Sequence, residues 1–158
     1  MDLLLWRHAV AQVAAEGQDD LDRALTPAGR QQARRVGRWL YRALPARTLV
    51  YCSPARRAEE TAVALGREMH TLAELAPSLP IDPVLEALGW NAAASPGTAP
   101  VLLVGHQPQL GQIVARLIGL QQTECAIRKG SVWWLRSRVR DGRTEVRVIT
   151  VLGPELLF

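Results

Sequence analysis

Cysteine, lysine and phenylalanine are all scarce in this chain of 158 residues: two cysteines, Cys52 and Cys125, one lysine, Lys129, and one phenylalanine, Phe158. The cysteines stand far apart, in neither metal-binding nor redox spacing, which excludes a disulfide-stapled scaffold and points to a reducing compartment. No apolar run approaches the ~18 residues of a membrane span. Met1-Asp2 leads straight into apolar sequence, without the basic region and apolar core of a signal peptide. The expectation is a cytoplasmic protein with no membrane partner. Repeats, low-complexity tracts and linkers are also missing, so a single domain over 1–158 is expected, large enough for a core without metal or disulfide support. The net charge of +4 would suit an acidic partner. That charge is scattered along the chain as arginine, with no basic block or RNA-binding signature, and no nucleic-acid partner is expected.

What the chain does have is an unusual first strand, Leu3-Leu4-Leu5-Trp6-Arg7-His8. Four large apolar residues run directly into a cation and an imidazole. In open α/β sheets ligands bind at the carboxyl ends of strands, so Arg7 and His8 occupy the place where catalytic groups are expected.

Val10 to Ala24 is polar and irregular, and its acidic residues Asp19, Asp20 and Asp22 read as a solvated loop. Thr26-Pro27 signals a helix start. Ala33, Val36, Gly37, Leu40 and Leu44 then fall at helical spacing, which predicts a helix over about 27–44 with Arg30, Arg34, Arg35 and Arg38 wet. Thr48 to Cys52 reads as a short strand. Ser53-Pro54 repeats the cap-and-proline device before a second helix whose buried stripe would be Ala58, Ala62, Leu65 and Met69. A strand-to-helix junction of this kind favours an anion, through free N–H groups and the helix dipole.

The stretch from His70 to Pro100 shows little periodicity beyond Val84 to Leu88, and Ala92 to Pro100 reads as a loop. Val101 to Gly105 is a continuous apolar run expected to be covered on both faces. It ends in His106-Gln107-Pro108, before an amphipathic helix carrying Leu110, Ile113, Val114, Leu117 and Ile118. Ser131 to Leu135 and Glu145 to Leu152 read as an antiparallel pair with a turn at Asp141-Gly142. The fold class is therefore a three-layer α/β/α sandwich with a mostly parallel central sheet and an antiparallel edge.

Arg7 and His8, Arg57, and His106 lie at three strand ends. If those strands are neighbours, two arginines and two histidines meet with no carboxylate obviously placed to neutralise them. Such a pocket suits a dianion: arginine's planar fork matches phosphate oxygens, and a neutral histidine among them can attack phosphorus.

In these motifs the chain resembles the histidine phosphatase superfamily, the phosphoglycerate-mutase-like or RHG family. The likeness rests on Arg7-His8, on Leu25-Thr26-Pro27-Ala28-Gly29-Arg30, on the Ser-Pro-x-x-Arg-Ala-x-x-Thr-Ala pattern from Ser53 to Ala62, and on Gly105-His106-Gln107-Pro108. The resemblance implies that His8 is the nucleophile that becomes phosphohistidine, that Arg7 and Arg57 clamp the phosphoryl oxygens, and that His106 stabilises charge on the transferring group. Arg57, which precedes Ala58, takes the family position, and Arg56 is expected to be exposed. Where mutases continue Arg-His-Gly, this chain reads Arg7-His8-Ala9-Val10, similar to the SixA-type branch of phosphohistidine phosphatases.

The segment between His70 and Val101 is also short for a lid, so the pocket is expected to admit a phosphorylated side chain of another protein. The implied partner is a histidine-containing phosphotransfer domain in signalling; the alternative is a small phosphate ester, a sugar phosphate or nucleotide. Glu86 is the candidate proton donor, with a surface glutamate as the alternative, and Arg23 is placed at the pocket rim. No cofactor or metal is implied, and a metal-independent hydrolase is expected. Two histidines beside two arginines make a poor metal site, and a non-catalytic phosphate-binding module would not need both histidines. Trp133 and Trp134, as strand neighbours, should point to opposite faces, while Trp90 and Leu156-Leu157-Phe158 could serve core or interface.

Overall fold

The computed structural model of the chain describes residues 1–90 and 98–158. Leu3, Leu4, Leu5 and Trp6 are fully buried because β1 (Asp2–Arg7) has a strand on either side in a six-stranded sheet. With β2 (Leu49–Cys52), β3 (His70–Thr71), β4 (Val101–Gly105), β5 (Val132–Arg140) and β6 (Arg143–Leu152), the order is β3-β2-β4-β1-β5-β6. β3, β2, β4 and β1 are parallel neighbours, whereas β1 and β5, and β5 and β6, pair antiparallel.

Alternation along the strands divides the core. Leu4, Trp6, Val50, Cys52, Leu102 and Val104 pack with residues of α1 (Pro27–Ala43) and α2 (Arg56–Val63) on one side. Leu3, Leu5, Val101 and Leu103 pack on the other with α3 (Asp82–Ala87) and α4 (Gln109–Ile118). This is the expected α/β/α sandwich, parallel in the centre and antiparallel at one edge. Among the described residues no helix is long and apolar enough to cross a membrane.

α1 begins as its sequence predicts, with the Thr26 hydroxyl accepting from the Gly29 N–H at 2.9 Å and Pro27 in the first turn. Its two glycines are close-approach points: a Cβ at Gly29 would overlap the Val10 carbonyl oxygen, and one at Gly37 the Ala64 carbonyl oxygen. α2 departs from expectation at both ends. It starts at Arg56 with Ala55 as its cap, so Ser53-Pro54 is not the helix start. It ends at Val63, because the chain turns through Gly66 at φ 71°; Leu65 and Met69 reach the same core from beyond the helix.

β3 falls where the sequence shows no periodicity, and α3 covers most of the Val84-to-Leu88 exception. Most of the loop expected over Ala92 to Pro100 lies outside the described residues. The hairpin turns at Asp141 and Gly142, both with positive φ, and its strands run longer than the apolar pattern indicated. Trp134 packs on the α1 side and Trp133 on the α4 side, each partly buried, so the two point to opposite faces as strand neighbours should. Trp90 and Leu157 pack on the core, and Phe158 is exposed.

Candidate active site

β2, β4 and β1 lie side by side and parallel, so the residues that follow them, Ser53, His106 and His8, emerge at one sheet edge. Backbone pairing continues past the strand ends: the His8 N–H donates to the Gly105 carbonyl at 3.0 Å and the Ser53 N–H to the Val104 carbonyl at 2.9 Å. The two imidazoles are thereby brought together, with ring centroids 5.0 Å apart.

His8 Nδ1 lies 2.7 Å from the Ala9 carbonyl oxygen. A carbonyl can only accept, so Nδ1 carries the proton and Nε2 keeps its lone pair. Burial pushes the His8 pKa down to about 4; the charges of Arg57, Arg7 and Lys129 act in the same direction, against the Ala9 hydrogen bond. The neutral, nucleophilic ring is therefore the resting form at neutral pH. Thr61 braces it from below, its hydroxyl accepting from the Ala9 N–H at 3.1 Å and donating to the Arg57 carbonyl at 2.7 Å.

His106 Nε2 lies 2.7 Å from the Ser53 hydroxyl, which also accepts from the Ala55 N–H at 3.2 Å. Where that hydroxyl donates to Nε2, the His106 proton sits on Nδ1. Burial, then the neighbouring His8, Arg57 and Arg7, push the His106 pKa down to about 3, with Asp20 opposing.

Arg7 is held through Nη1 on the Ile127 carbonyl at 2.6 Å. The segment around it is stitched to β1, since the Gly130 N–H donates to the carbonyls of both Arg7 and His8 and the Ser131 carbonyl accepts from the Arg7 N–H. Lys129 is thereby fixed within electrostatic reach of His8. Arg57, with only 4% of its side chain exposed, is held by Asp20. Nη1 donates to the Asp20 carbonyl at 2.6 Å and Nη2 to its carboxylate at 2.8 Å. The other carboxylate oxygen accepts from Arg23 Nε at 2.9 Å.

A carboxylate thus does enter this group of cations. The acidic loop read as merely solvated contributes Asp20, whose own side chain is 55% exposed yet pairs with a buried arginine. Burial raises the Asp20 pKa, but the hydrogen bond and charge of Arg57, and then Arg23, outweigh it and hold the carboxyl below its usual range.

The structure brings together Arg7, His8, Arg57 and His106, with Arg23 one carboxylate removed from Arg57. Arg56 is exposed and paired to Glu60 at 2.8 Å. Glu86 is exposed on α3, and none of the hydrogen bonds or ion pairs among the described residues joins it to the four. Sequence reasoning missed Asp20, the link from Ser53 to His106, the brace at Thr61 and the placement of Lys129. Only Ser53 and Thr61 carried a signal, as fixed members of the Ser53-to-Ala62 pattern.

Among the described residues, five buried side-chain polar atoms lack a protein partner, and three of them are here: Arg7 Nε, Arg57 Nε and His106 Nδ1. Buried donors are costly unless satisfied, and Arg7 and Arg57 lie within electrostatic reach of both imidazoles. An acceptor with several oxygens, such as a tetrahedral oxyanion, suits such a set. Among the described residues no group of three or more His, Cys, Asp and Glu side chains could hold a metal ion.

Comparison with known proteins agrees with this geometry. The model of the histidine phosphatase superfamily (branch 1) matches residues 3–79. An uncharacterized protein of Picosynechococcus sp. is 32% identical over an alignment spanning 100% of this chain and 99% of the relative. The structure of the protein histidine phosphatase SixA complexed with tungstate superposes with a TM-score of 0.80 at 25% identity, covering 99% of each chain. A protein of Nakamurella multipartitia described as a phosphohistidine phosphatase SixA gives a TM-score of 0.73 at 27% identity, over 97% of this chain and 95% of that one.

Proposed function

The chain belongs to the histidine phosphatase superfamily, in its SixA-type branch, and from that membership we propose that this phosphatase acts on protein phosphohistidine through a covalent intermediate on His8. The observation that carries this reading is the buried neutral His8 beside three unpartnered donors on Arg7, Arg57 and His106.

In the first step the His8 Nε2 lone pair forms a bond to phosphorus while the bond from phosphorus to the leaving imidazole nitrogen breaks, and that nitrogen takes up a proton from solvent. Arg7 and Arg57 bind the phosphoryl oxygens throughout. His106 donates from Nδ1 to the charge that builds up on them. In the second step water attacks phosphorus and loses a proton to solvent, the bond to Nε2 breaks, orthophosphate leaves, and His8 returns to its neutral form with Nδ1 still bonded to Ala9. The bond from Nδ1 to the Ala9 carbonyl also favours attack, because it offsets positive charge as the ring becomes phosphorylated.

Two features support a protein substrate. The connection between β3 and β4, residues 72–100, holds only a 3-10 turn and the six-residue α3 among its described residues, which favours an uncovered pocket. An imidazole leaving group also departs more readily than an alkoxide and needs less help from a general acid, in keeping with a pocket whose one hydrogen-bonded carboxyl among the described residues, Asp20, is held ionised by Arg57 and Arg23 and has no proton to give. Glu86 is then the proton donor for poorer leaving groups. The test is hydrolysis, with EDTA present, of a phosphohistidine-bearing histidine-containing phosphotransfer domain against a panel of sugar phosphates and nucleotides. Faster release from the protein substrate, lost in His8→Ala, is expected. Preference for a small ester would keep the chemistry and overturn the substrate.

A further inference from the structure

Arg57 differs from Arg7 in what grips it. Arg7 is held at Nη1 by a neutral main-chain carbonyl, that of Ile127. Arg57 is held at both terminal nitrogens, by the main-chain carbonyl and by the carboxylate of one residue, Asp20. We propose that Asp20 is a positioning residue, gripping the far end of Arg57 so that the Nε edge of the guanidinium stays turned to the bound phosphoryl group. The inference rests on the reading of this pocket as a phosphoryl site.

A guanidinium has five N–H donors. Asp20 takes one from each terminal nitrogen and leaves the Nε–H, which is buried and without a protein partner. A terminal nitrogen also retains its second N–H, so a side-on pair remains available to two phosphoryl oxygens while Asp20 stays in place. The grip is itself braced. Asp20 opens a short 3-10 turn (Asp20–Asp22) capped by the Asp19 side chain, Oδ1 accepting from the Leu21 N–H at 2.9 Å. Arg23 Nε then holds the second Asp20 oxygen at 2.9 Å, and Arg23 Nη1 donates to the Gln12 carbonyl at 3.0 Å. A half-exposed carboxylate left alone would sample water; between two arginines it has one position. Arg23 therefore acts through Asp20 instead of touching substrate, and a chain of contacts runs from Gln12 at the surface to Arg57 in the pocket.

The alternative is that Asp20 competes with the phosphoryl group for Arg57. The two differ in sign. Orthophosphate binding is measured by calorimetry for the wild type, Asp20→Ala and Asp20→Asn, with circular dichroism as the check on folding. Positioning predicts that Asp20→Ala weakens orthophosphate binding about tenfold, and that Asp20→Asn, which keeps an acceptor for Nη2 without the charge, stays within roughly threefold of wild type. Turnover should follow the same order, with KM rising more than kcat falls. Binding by Asp20→Ala as tight as wild type or tighter would overturn the proposal. Should Asp20→Ala fail to fold, Asp20→Asn decides alone, because a competitor role predicts binding about tenfold tighter than wild type. A wild-type protein that binds no orthophosphate would instead overturn the phosphoryl-site reading beneath it.

Discussion

The rings of His8 and His106 lie 5.0 Å apart with their planes tilted by 51°, and His8 opposes protonation of His106. Burial is the larger cause: it takes His8 to about 4 and His106 to about 3, from an ordinary 6.5. As pH falls below 6.5 the unfolded chain takes up protons that the folded protein refuses. The stability contributed by these two neutral rings is therefore complete above that pH and is lost as pH falls through about 4 and then about 3. The urea midpoint should drop between pH 7 and pH 5, by less in His106→Gln than in wild type. Proton NMR should show both rings titrating below pH 5, where ordinary histidines have already been protonated. Titration of either near 6.5 would contradict the burial account.

Ser53 should matter to the chemistry although it touches no phosphorus in the proposed mechanism. Among the described residues its hydroxyl is the one partner of His106 Nε2, and without it the ring loses the contact that orients it and favours a proton on Nδ1. Ser53→Ala is expected to lower kcat roughly tenfold, with a stability loss of about 1 kcal/mol. An unchanged kcat would show that His106 is oriented by its packing alone.

Gly29 sets how closely α1 approaches the chain just after His8. A side chain there meets the Val10 carbonyl oxygen, main-chain atoms that cannot swing aside. Gly29→Ala should cost about 1 to 3 kcal/mol by overpacking, read as a lower urea midpoint, and should disturb the loop that delivers Asp20.

The parts of the fold that were legible are those where one local signal suffices. The apolar runs of β1 and β4 needed no partner to be read, and Thr26-Pro27 stated the start of α1. Ser53 misled because a serine before proline is also a good helix cap; its hydroxyl bonds the Ala55 N–H just before the helix and His106 across the sheet. Leu65 and Met69 kept helical spacing after α2 had ended, since a core accepts apolar residues from a turn as readily as from a helix. Asp20 could not be read at all. Its partner Arg57 is distant in the chain, and nothing in an acidic loop without periodicity says which carboxylate turns inward. The same holds for the Ile127 carbonyl and for Lys129, both placed by the return of the chain from α4 to β5.

Leaving-group chemistry separates Glu86 from the four pocket residues. Under the proposed assignment, Glu86→Gln should leave hydrolysis of protein phosphohistidine within about twofold of wild type while lowering that of alkyl phosphates roughly tenfold or more, the lower end of what general acids contribute. Equal rates on both substrates would return Glu86 to the role of a surface residue.

The most direct test is to quench the reaction in alkali during turnover and locate the phosphoryl group. Attack by the His8 Nε2 lone pair predicts an alkali-stable, acid-labile phosphate on His8, attached to Nε2 and not to the Nδ1 that faces Ala9, and absent from His8→Ala along with turnover. Phosphate on another residue, or undiminished hydrolysis by His8→Ala, would contradict the mechanism.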